Sequence, residues 1–323
     1  MIVITGAAGF IGSFLAGYLN EQGYNNLILV DDFSREDKRP NWEGKTFSDK
    51  IPREEFPEWF KENAAQVKFV FHLGARTDTS ETDEELFNKL NYHYSQNIWS
   101  VCANHQIPLV YASSAATYGD GSLGYSDRPN LVKDLEPLNA YGRSKNEFDK
   151  WVLRQKDQPP FWAGLKFFNV YGPNEYHKGR MASVIFHAYH QYKKDGEVRL
   201  FRSHREDIAH GEQKRDFIYV KDVATICFWL LTHPYSAING LYNIGTGSAE
   251  TFLELANSLF YALEVEENIR FIDTPADIRN NYQYYTRAEM EKLRKAGYHS
   301  QFYSLREGVK DYVREFLLKG RYY

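Results

Sequence analysis

Short apolar runs alternate along the chain with stretches in which apolar residues recur every three or four positions. Met1-Ile2-Val3-Ile4 gives way to Ile11, Phe14, Leu15, Tyr18 and Leu19 at helical spacing. Leu27-Ile28-Leu29-Val30 is the next run. Residues 33–66 are polar and mixed, with a short helix expected over Glu54–Glu62 despite Pro57. Val67–His72, Pro108–Ala112, Trp162–Phe168, Phe217–Val220 and Gly240–Gly245 read as further strands. Helices are predicted over 83 to about 104, from Val184, over Asp222 to about Leu231, over Thr251–Leu263 and across 286–318. Continuous apolar strands alternating with helices predict an α/β fold with a doubly wound parallel sheet covered on both faces. The expected division interweaves two parts. Residues 1–168 plus about 214–247 form a nucleotide-binding domain, and about 169–213 plus 248–323 form a smaller C-terminal α/β substrate lobe. No low-complexity linker or short internal repeat separates them.

Composition narrows this picture by exclusion. The 323 residues carry a net charge of −4, which argues against a nucleic-acid binder. No apolar run reaches the ~18 residues of a membrane span. Cys102 and Cys227 lie far apart in apolar segments, so buried thiols are expected, with no disulfide framework and no metal pair. The chain opens on a strand without a basic leader, and the expected setting is reducing and cytoplasmic.

The first strand runs into Thr5-Gly6-Ala7-Ala8-Gly9-Phe10-Ile11-Gly12 and then a helix. Glycines there let the backbone turn sharply and approach a pyrophosphate, while the helix N-terminus offers free N–H groups. The second strand ends in Asp31-Asp32, about 20 residues on, where an acid can bond a ribose hydroxyl. Strand, glycine turn, helix and acid together predict a dinucleotide site and a Rossmann-type sheet. Leu73-Gly74-Ala75-Arg76-Thr77, after the strand ending at His72, is expected to wall the same crevice. Arg35, Lys38 and Arg39 are either a solvated loop or the partners of a 2′-phosphate, which would select NADP over NAD. Asp31 beside Asp32 opposes that phosphate.

Asn139-Ala140-Tyr141-Gly142-Arg143-Ser144-Lys145 puts a tyrosine and a lysine on one helix face. A cation beside a phenol favours the phenolate and suits it to acid–base work. Among 24 tyrosines such a pair also arises by chance. Its context gives it meaning. Tyr111-Ala112-Ser113-Ser114 ends a strand upstream, and the glycine spacing is G-x-x-G-x-x-G. In these features the chain resembles the short-chain dehydrogenase/reductase superfamily, in its extended, nucleotide-sugar-modifying branch. The resemblance implies that Ser114, Tyr141 and Lys145 form the catalytic set. Dehydratases of that branch carry Asp-Glu directly after the hydroxyl residue, whereas Ala115 and Ala116 stand here and cannot move a proton. The expected chemistry is therefore reversible oxidation and reduction without elimination.

Further runs sharpen the resemblance. Phe168-Asn169-Val170-Tyr171-Gly172-Pro173, His177-Lys178-Gly179 with Met181-Ala182-Ser183-Val184, and Lys214-Arg215-Asp216-Phe217 are similar to the ADP-heptose 6-epimerases. That likeness implies inversion at C6 of an ADP-heptose or a similar nucleotide sugar, with bound NADP (NAD being possible). It also implies a homo-oligomer, typically a pentamer, and a place in making the lipopolysaccharide core. An epimerase returns hydride to the other face of its ketone, so the oxygen needs a second proton donor. Lys178 is expected there, the alternative being that it only binds phosphates. The likeness implies cofactor contacts from Gly6, Gly9, Phe10, Ile11, Gly12, Asp31, Asp32, Lys38, Arg53, Leu73 through Thr77, Asn91, Tyr141, Lys145, Val170 and Lys178. It implies substrate contacts from Asn169, Arg180, His187, Phe201, Arg215 and Tyr282, the last in Asn280-Asn281-Tyr282-Gln283. Arg215 would grip a pyrophosphate, or else pair structurally with Asp216 or Asp222. Arg180 replaces a small residue and could occlude the sugar, and Arg202–Gln213 is longer than the family pattern. A 4-epimerase or reductase acting on another nucleotide sugar is a second reading. A dinucleotide-sensing binding protein without turnover is a third.

Overall fold

The computed structural model describes residues 1–233, 239–275, 279 and 282–323, which leaves Asn280 and Asn281 outside the description. The apolar runs form strands β1 (Ile2–Thr5), β2 (Leu27–Asp31), β3 (Asp49–Pro52), β4 (Phe69–His72), β5 (Leu109–Ser114) and β6 (Trp162–Phe167). After β7 (Asn169–Tyr171), β8 (Val198–Phe201), β9 (Lys214–Arg215) and β10 (Phe217–Tyr219), β11 (Gly240–Ile244) returns beside β6. The main sheet has seven parallel strands in the order β11-β6-β5-β4-β1-β2-β3. The strand order reverses at β1, so a crevice opens between the ends of β1 and β4.

Alternate residues of each strand enter different cores. Ile2 and Ile4 join one cluster and Val3 the other; Phe69 and Phe71 part from Val70 in the same way. Every β1 and β2 residue is buried, which is why these strands read as unbroken apolar runs. On one face α1 (Phe10–Glu21) supplies Phe14, Leu15 and Leu19, and α8 (Val220–Thr232) supplies Val223, Ile226 and Leu230. Trp99 and Phe148 close the other face from the helices Tyr94–Asn104 and Ala140–Val152. Cys102 and Cys227 are both free and buried, one in each cluster. Three two-stranded pairings lie outside the main sheet: β7 with β10, β8 with β13 (Ile269–Ile272), and β9 with β12 (Glu250–Thr251).

Two expectations change. The helix predicted across 286–318 is broken into Glu291–Lys295, Leu305–Asp311 and a π-helical end, Tyr312–Leu317. Gly297, at φ 108°, stops the first piece, and Ser304 restarts the chain with a capping box to Glu307. The polar stretch 33–66 holds more than one helix. Besides Phe56–Asn63 it contains β3, buried only at Ile51, and the short helix Arg39–Trp42.

The start of α8 carries an acid, Asp222, that forms no ion pair among the described residues. Asp222 is buried, and burial pushes its carboxyl up to about 7, with Glu307 adding to the effect and a bond from the Tyr303 amide opposing it. A folded-state value above the unfolded one means the contribution to stability is complete below the ordinary carboxylate range. It is then lost as pH rises through about 7. Asp222→Asn keeps an acceptor for Tyr303 and removes the charge. Its Tm at pH 8 is expected to exceed that of the parent by about 2 °C or more, with the gap narrowing as pH falls through the window between the folded value and the ordinary carboxylate range in a series of thermal scans.

Candidate active site

The turn after β1 is built by three close approaches. Gly6 has φ +71°, and a Cβ there would lie 2.7 Å from Gly74 Cα; one on Gly12 would lie 2.2 Å from the Gly6 carbonyl. Gly9 caps α1 without a side-chain bond, and the first turn holds no acid, so its N–H groups face an open cleft unmatched. That cleft, about 520 Å³, is lined by Gly6, Gly9, Phe10, Ile11, Gly12, Asp31, Asp32, Lys38, Arg53, Leu73 through Thr77 and Lys178. A glycine-walled hollow at a free helix N-terminus fits a pyrophosphate, and its extent suits a dinucleotide.

The two acids at the end of β2 differ. Asp31 Oδ2 accepts from the Ala8 amide (2.9 Å), and Oδ1 accepts from the Asp32 amide (2.7 Å) and Lys38 Nζ (2.9 Å). Asp31 thus braces the glycine turn, and its charge is met by Lys38. Asp32 is more exposed, and its bonds from Ser34 hold its carboxyl below the usual range. Asp32 is the acid with room to accept from a ribose. Arg35 and Arg53 also line the cleft but are paired with Asp37 and Glu54, while Arg39 pairs with Glu43 outside it. Asn91 does not line the cleft. Its amide bonds both the Arg76 N–H and carbonyl, so it shapes the cleft wall through that loop.

An adjoining cleft of about 360 Å³ shares Phe10, Ile11, Leu73, Ala75, Thr77 and Lys178 with the first, and adds Ser114, Tyr141, Lys145, Asn169 and Val170. Ser114 ends β5, and its Oγ accepts from the Ala116 amide at 3.1 Å, which leaves the hydroxyl proton to donate. Tyr141 and Lys145 sit on α6, the helix Ala140–Val152, whose N-cap Asn139 accepts from the Gly142 amide. The Ser114 hydroxyl lies near enough to the Tyr141 phenol to favour its phenolate. The expected pull of Lys145 on the phenol does not govern it here. Burial pushes Tyr141 above its usual range, the nearby Ser114 hydroxyl draws it back, and Asp149 raises it again. Lys145 instead donates to the Ala112 carbonyl at 2.9 Å, and burial lowers it to about 8, against Asp149.

Lys178 stands on the 3₁₀ turn Tyr176–Met181, with its ammonium 5.4 Å from the centre of the Phe10 ring. Burial lowers it, and Glu175 opposes that. Glu175 is wholly buried and ties the turn down. It accepts from the Ser183 amide (2.5 Å), the Ser183 hydroxyl (2.7 Å) and the Gly172 amide (3.2 Å). Asn41 adds a link from the other side, donating to the carbonyls of Ala8 and Asn174. The glycine turn and the Lys178 turn are therefore fastened to one another.

The remaining nominees lie apart. Arg180 is exposed and lines neither cleft, so it does not fill the sugar site; its side chain lies towards Asp78. His187 is within 3.4 Å of the Arg180 carbonyl. Phe201, Arg215 and Tyr282 form their own cluster, with Tyr282 edge-on to Phe201 at 6.3 Å and under the Arg215 guanidinium at 5.4 Å. Arg215 is buried and bonds the carbonyls of Lys214 and Gln283. It does not pair with Asp216, whose oxygens accept from Thr246, Gly247 and Ala288. Nor does it pair with Asp222, which bonds Tyr303. The long 202–213 segment folds back on itself through Ser203 to His210 and seats Gly211 against Leu253 and Phe271. Among the described residues no three or more His, Cys, Asp or Glu side chains gather to hold a metal ion, and no helix is long and apolar enough to cross a membrane.

Sequence reasoning passed over Asp149 and Glu175. Asp149 falls four residues after Lys145, a spacing that was available to read; nothing around Glu175 marks it out.

A glycine turn at a sheet reversal, joined to a serine, tyrosine and lysine in one crevice, defines a dinucleotide-dependent enzyme of sugar chemistry. Residues 2–245 match the NAD dependent epimerase/dehydratase family, and the chain belongs to it. It is 46% identical to the ADP-L-glycero-D-manno-heptose-6-epimerase of Fusobacterium nucleatum, over 99% of this chain and 98% of that one. It is 44% identical to the enzyme of the same name from Nitratidesulfovibrio vulgaris, over 98% of each. The crystal structure of the Helicobacter pylori ADP-L-glycero-D-manno-heptose-6-epimerase superposes with a TM-score of 0.79 at 29% identity, covering 97% of this chain and 95% of that one.

Proposed function

We propose that the protein inverts C6 of ADP-D-glycero-D-manno-heptose to the L-glycero form through a transient 6-ketone. The observation that carries this reading is that two candidate proton-transfer groups, Tyr141 and Lys178, line one cleft from different elements. The names of the relatives support the sugar. A bound nicotinamide dinucleotide supplies a hydride acceptor and donor held in one place. The glycine turn and the α1 N-terminus bind its pyrophosphate, and Asp32 takes a ribose hydroxyl. Ser114 donates to the C6 oxygen while Tyr141 takes its proton. Once the sugar has turned its other face, the oxygen lies elsewhere, and Lys178 returns a proton there. Ala115 and Ala116 leave no group to expel water.

NADP is the proposed dinucleotide. The Asp31–Lys38 pair offsets one of the two acids that would repel a 2′-phosphate, and Arg35 and Arg53 lie along the same cleft. The Phe201–Arg215–Tyr282 cluster offers aromatic faces and a buried guanidinium to the ADP part of the substrate. A homopentamer serving lipopolysaccharide core synthesis completes the reading. The test is incubation of the purified protein with ADP-D-glycero-D-manno-heptose and no added cofactor, with the epimers resolved by NMR. Formation of the L-glycero epimer is expected. Absence of conversion, with NADP and NAD also supplied, would overturn the assignment.

A further inference from the structure

Directly behind the serine, tyrosine and lysine lies a buried ion pair that the reaction does not touch. Lys166 on β6 and Asp149 on α6 meet at 2.8 Å, both side chains fully enclosed. A buried pair by itself is weak ground for a role, because desolvation offsets much of the attraction. Its placement says more. Tyr141, Lys145 and Asp149 fall at steps of four along α6, on one face. Asp149 also accepts three hydrogen bonds. Oδ1 accepts from the Tyr111 hydroxyl (3.0 Å), and Oδ2 accepts from the Ser113 hydroxyl (2.7 Å) as well as from Lys166. Lys166 further donates to Thr117 Oγ1, which in turn donates to the Ser114 carbonyl, both at 2.7 Å. The network thus ends on the residues flanking Ser114.

We propose that Asp149 is a positioning residue for the Tyr141–Lys145 pair, its clamped carboxylate keeping the buried Lys145 an ammonium. The inference rests on the reading of Tyr141 and Lys145 given above. The groups around Lys145 bear it out. β4 presents His72, which burial and Lys145 together push down to about 3, so it stays neutral. β5 presents the Ala112 carbonyl and the Tyr111 phenol, both uncharged. β6 presents Lys166, a like charge, and α6 itself presents Tyr141 and Asp149. Asp149 is the group that opposes the loss of the Lys145 proton. An amine there could not draw Tyr141 towards the phenolate. Bonds from three neighbours, Tyr111, Ser113 and Lys166, hold the carboxylate in place.

The test compares Lys166→Gln with Lys166→Gln/Asp149→Asn. The two differ by one carboxylate: Lys166→Gln leaves it with the Tyr111 and Ser113 hydroxyls and with Lys145 as the neighbouring cation, and in the double variant Gln and Asn can bond each other. Each protein is prepared as it purifies, with lysine ¹³C-labelled at Cε. The Lys145 resonance is assigned by its loss in Lys145→Met, and its shift is followed with pH. The midpoint is expected to fall by about one pH unit or more when the carboxylate is removed, with circular dichroism unchanged. Asp149→Asn alone should show the same fall against the parent, and the alkaline limb of turnover should move with it. An unmoved midpoint in the folded pair overturns the proposal. The titration needs no substrate, so an error in the sugar assignment would appear as absent turnover beside an intact shift.

Discussion

Tyr141→Phe is expected to cut epimerisation about 10³-fold while the protein stays folded and keeps its dinucleotide. The change removes one oxygen from a side chain that lines the cleft beside Ser114. Ring packing is retained, including the tilted contact with Phe87 at 6.4 Å. Burial holds the phenol above its usual range, and the Ser114 hydroxyl draws it back towards the phenolate that takes the sugar proton. Proton removal from the sugar hydroxyl then depends on Ser114 and Lys145 acting together with it. Steady-state rates with bound-cofactor absorbance as a control check the result. Turnover within threefold of the parent would show that the phenol carries no proton.

Lys178→Met is expected to slow epimerisation by about 10²-fold or more, for a different reason. Met keeps the length and apolar stem of the side chain against Phe10 but cannot supply a proton. The Tyr141 half of the reaction remains intact. One epimer should therefore still pass hydride to the bound dinucleotide in a single turnover, while conversion to the other epimer stalls. The Glu175 clamp on Ser183 and Gly172 does not involve the Lys178 side chain, so the turn should hold its shape. Undiminished conversion would reduce Lys178 to a phosphate ligand.

The parts of the site that were legible in the sequence are those fixed by local chemistry. The glycines had to be glycines because Gly6 and Gly12 leave no space for a Cβ. Tyr141 and Lys145 share a helix face by spacing alone, and the buried parallel strands announced themselves as apolar runs. What stayed hidden depends on contacts between distant segments. Asn41 reaches Asn174 across 133 residues, and Tyr111 and Ser113 reach Asp149 on its helix from β5. β3 carries one buried apolar residue, too few for a pattern. The C-terminal stretch kept a helical rhythm through Gly297, although its backbone breaks there. Arg180 looked like an obstruction because its type is long and charged, and sequence could not say that the turn aims it at solvent.

The two-faced return of hydride is the centre of this account, and it can be read in one sample. The protein, with no cofactor added, is given ADP-D-glycero-D-manno-heptose carrying deuterium at C6 in ordinary water, and the product is examined by NMR. The account predicts the L-glycero epimer with its deuterium still at C6, because the same hydride leaves and comes back. An inverted product that has exchanged its deuterium for solvent hydrogen would contradict it.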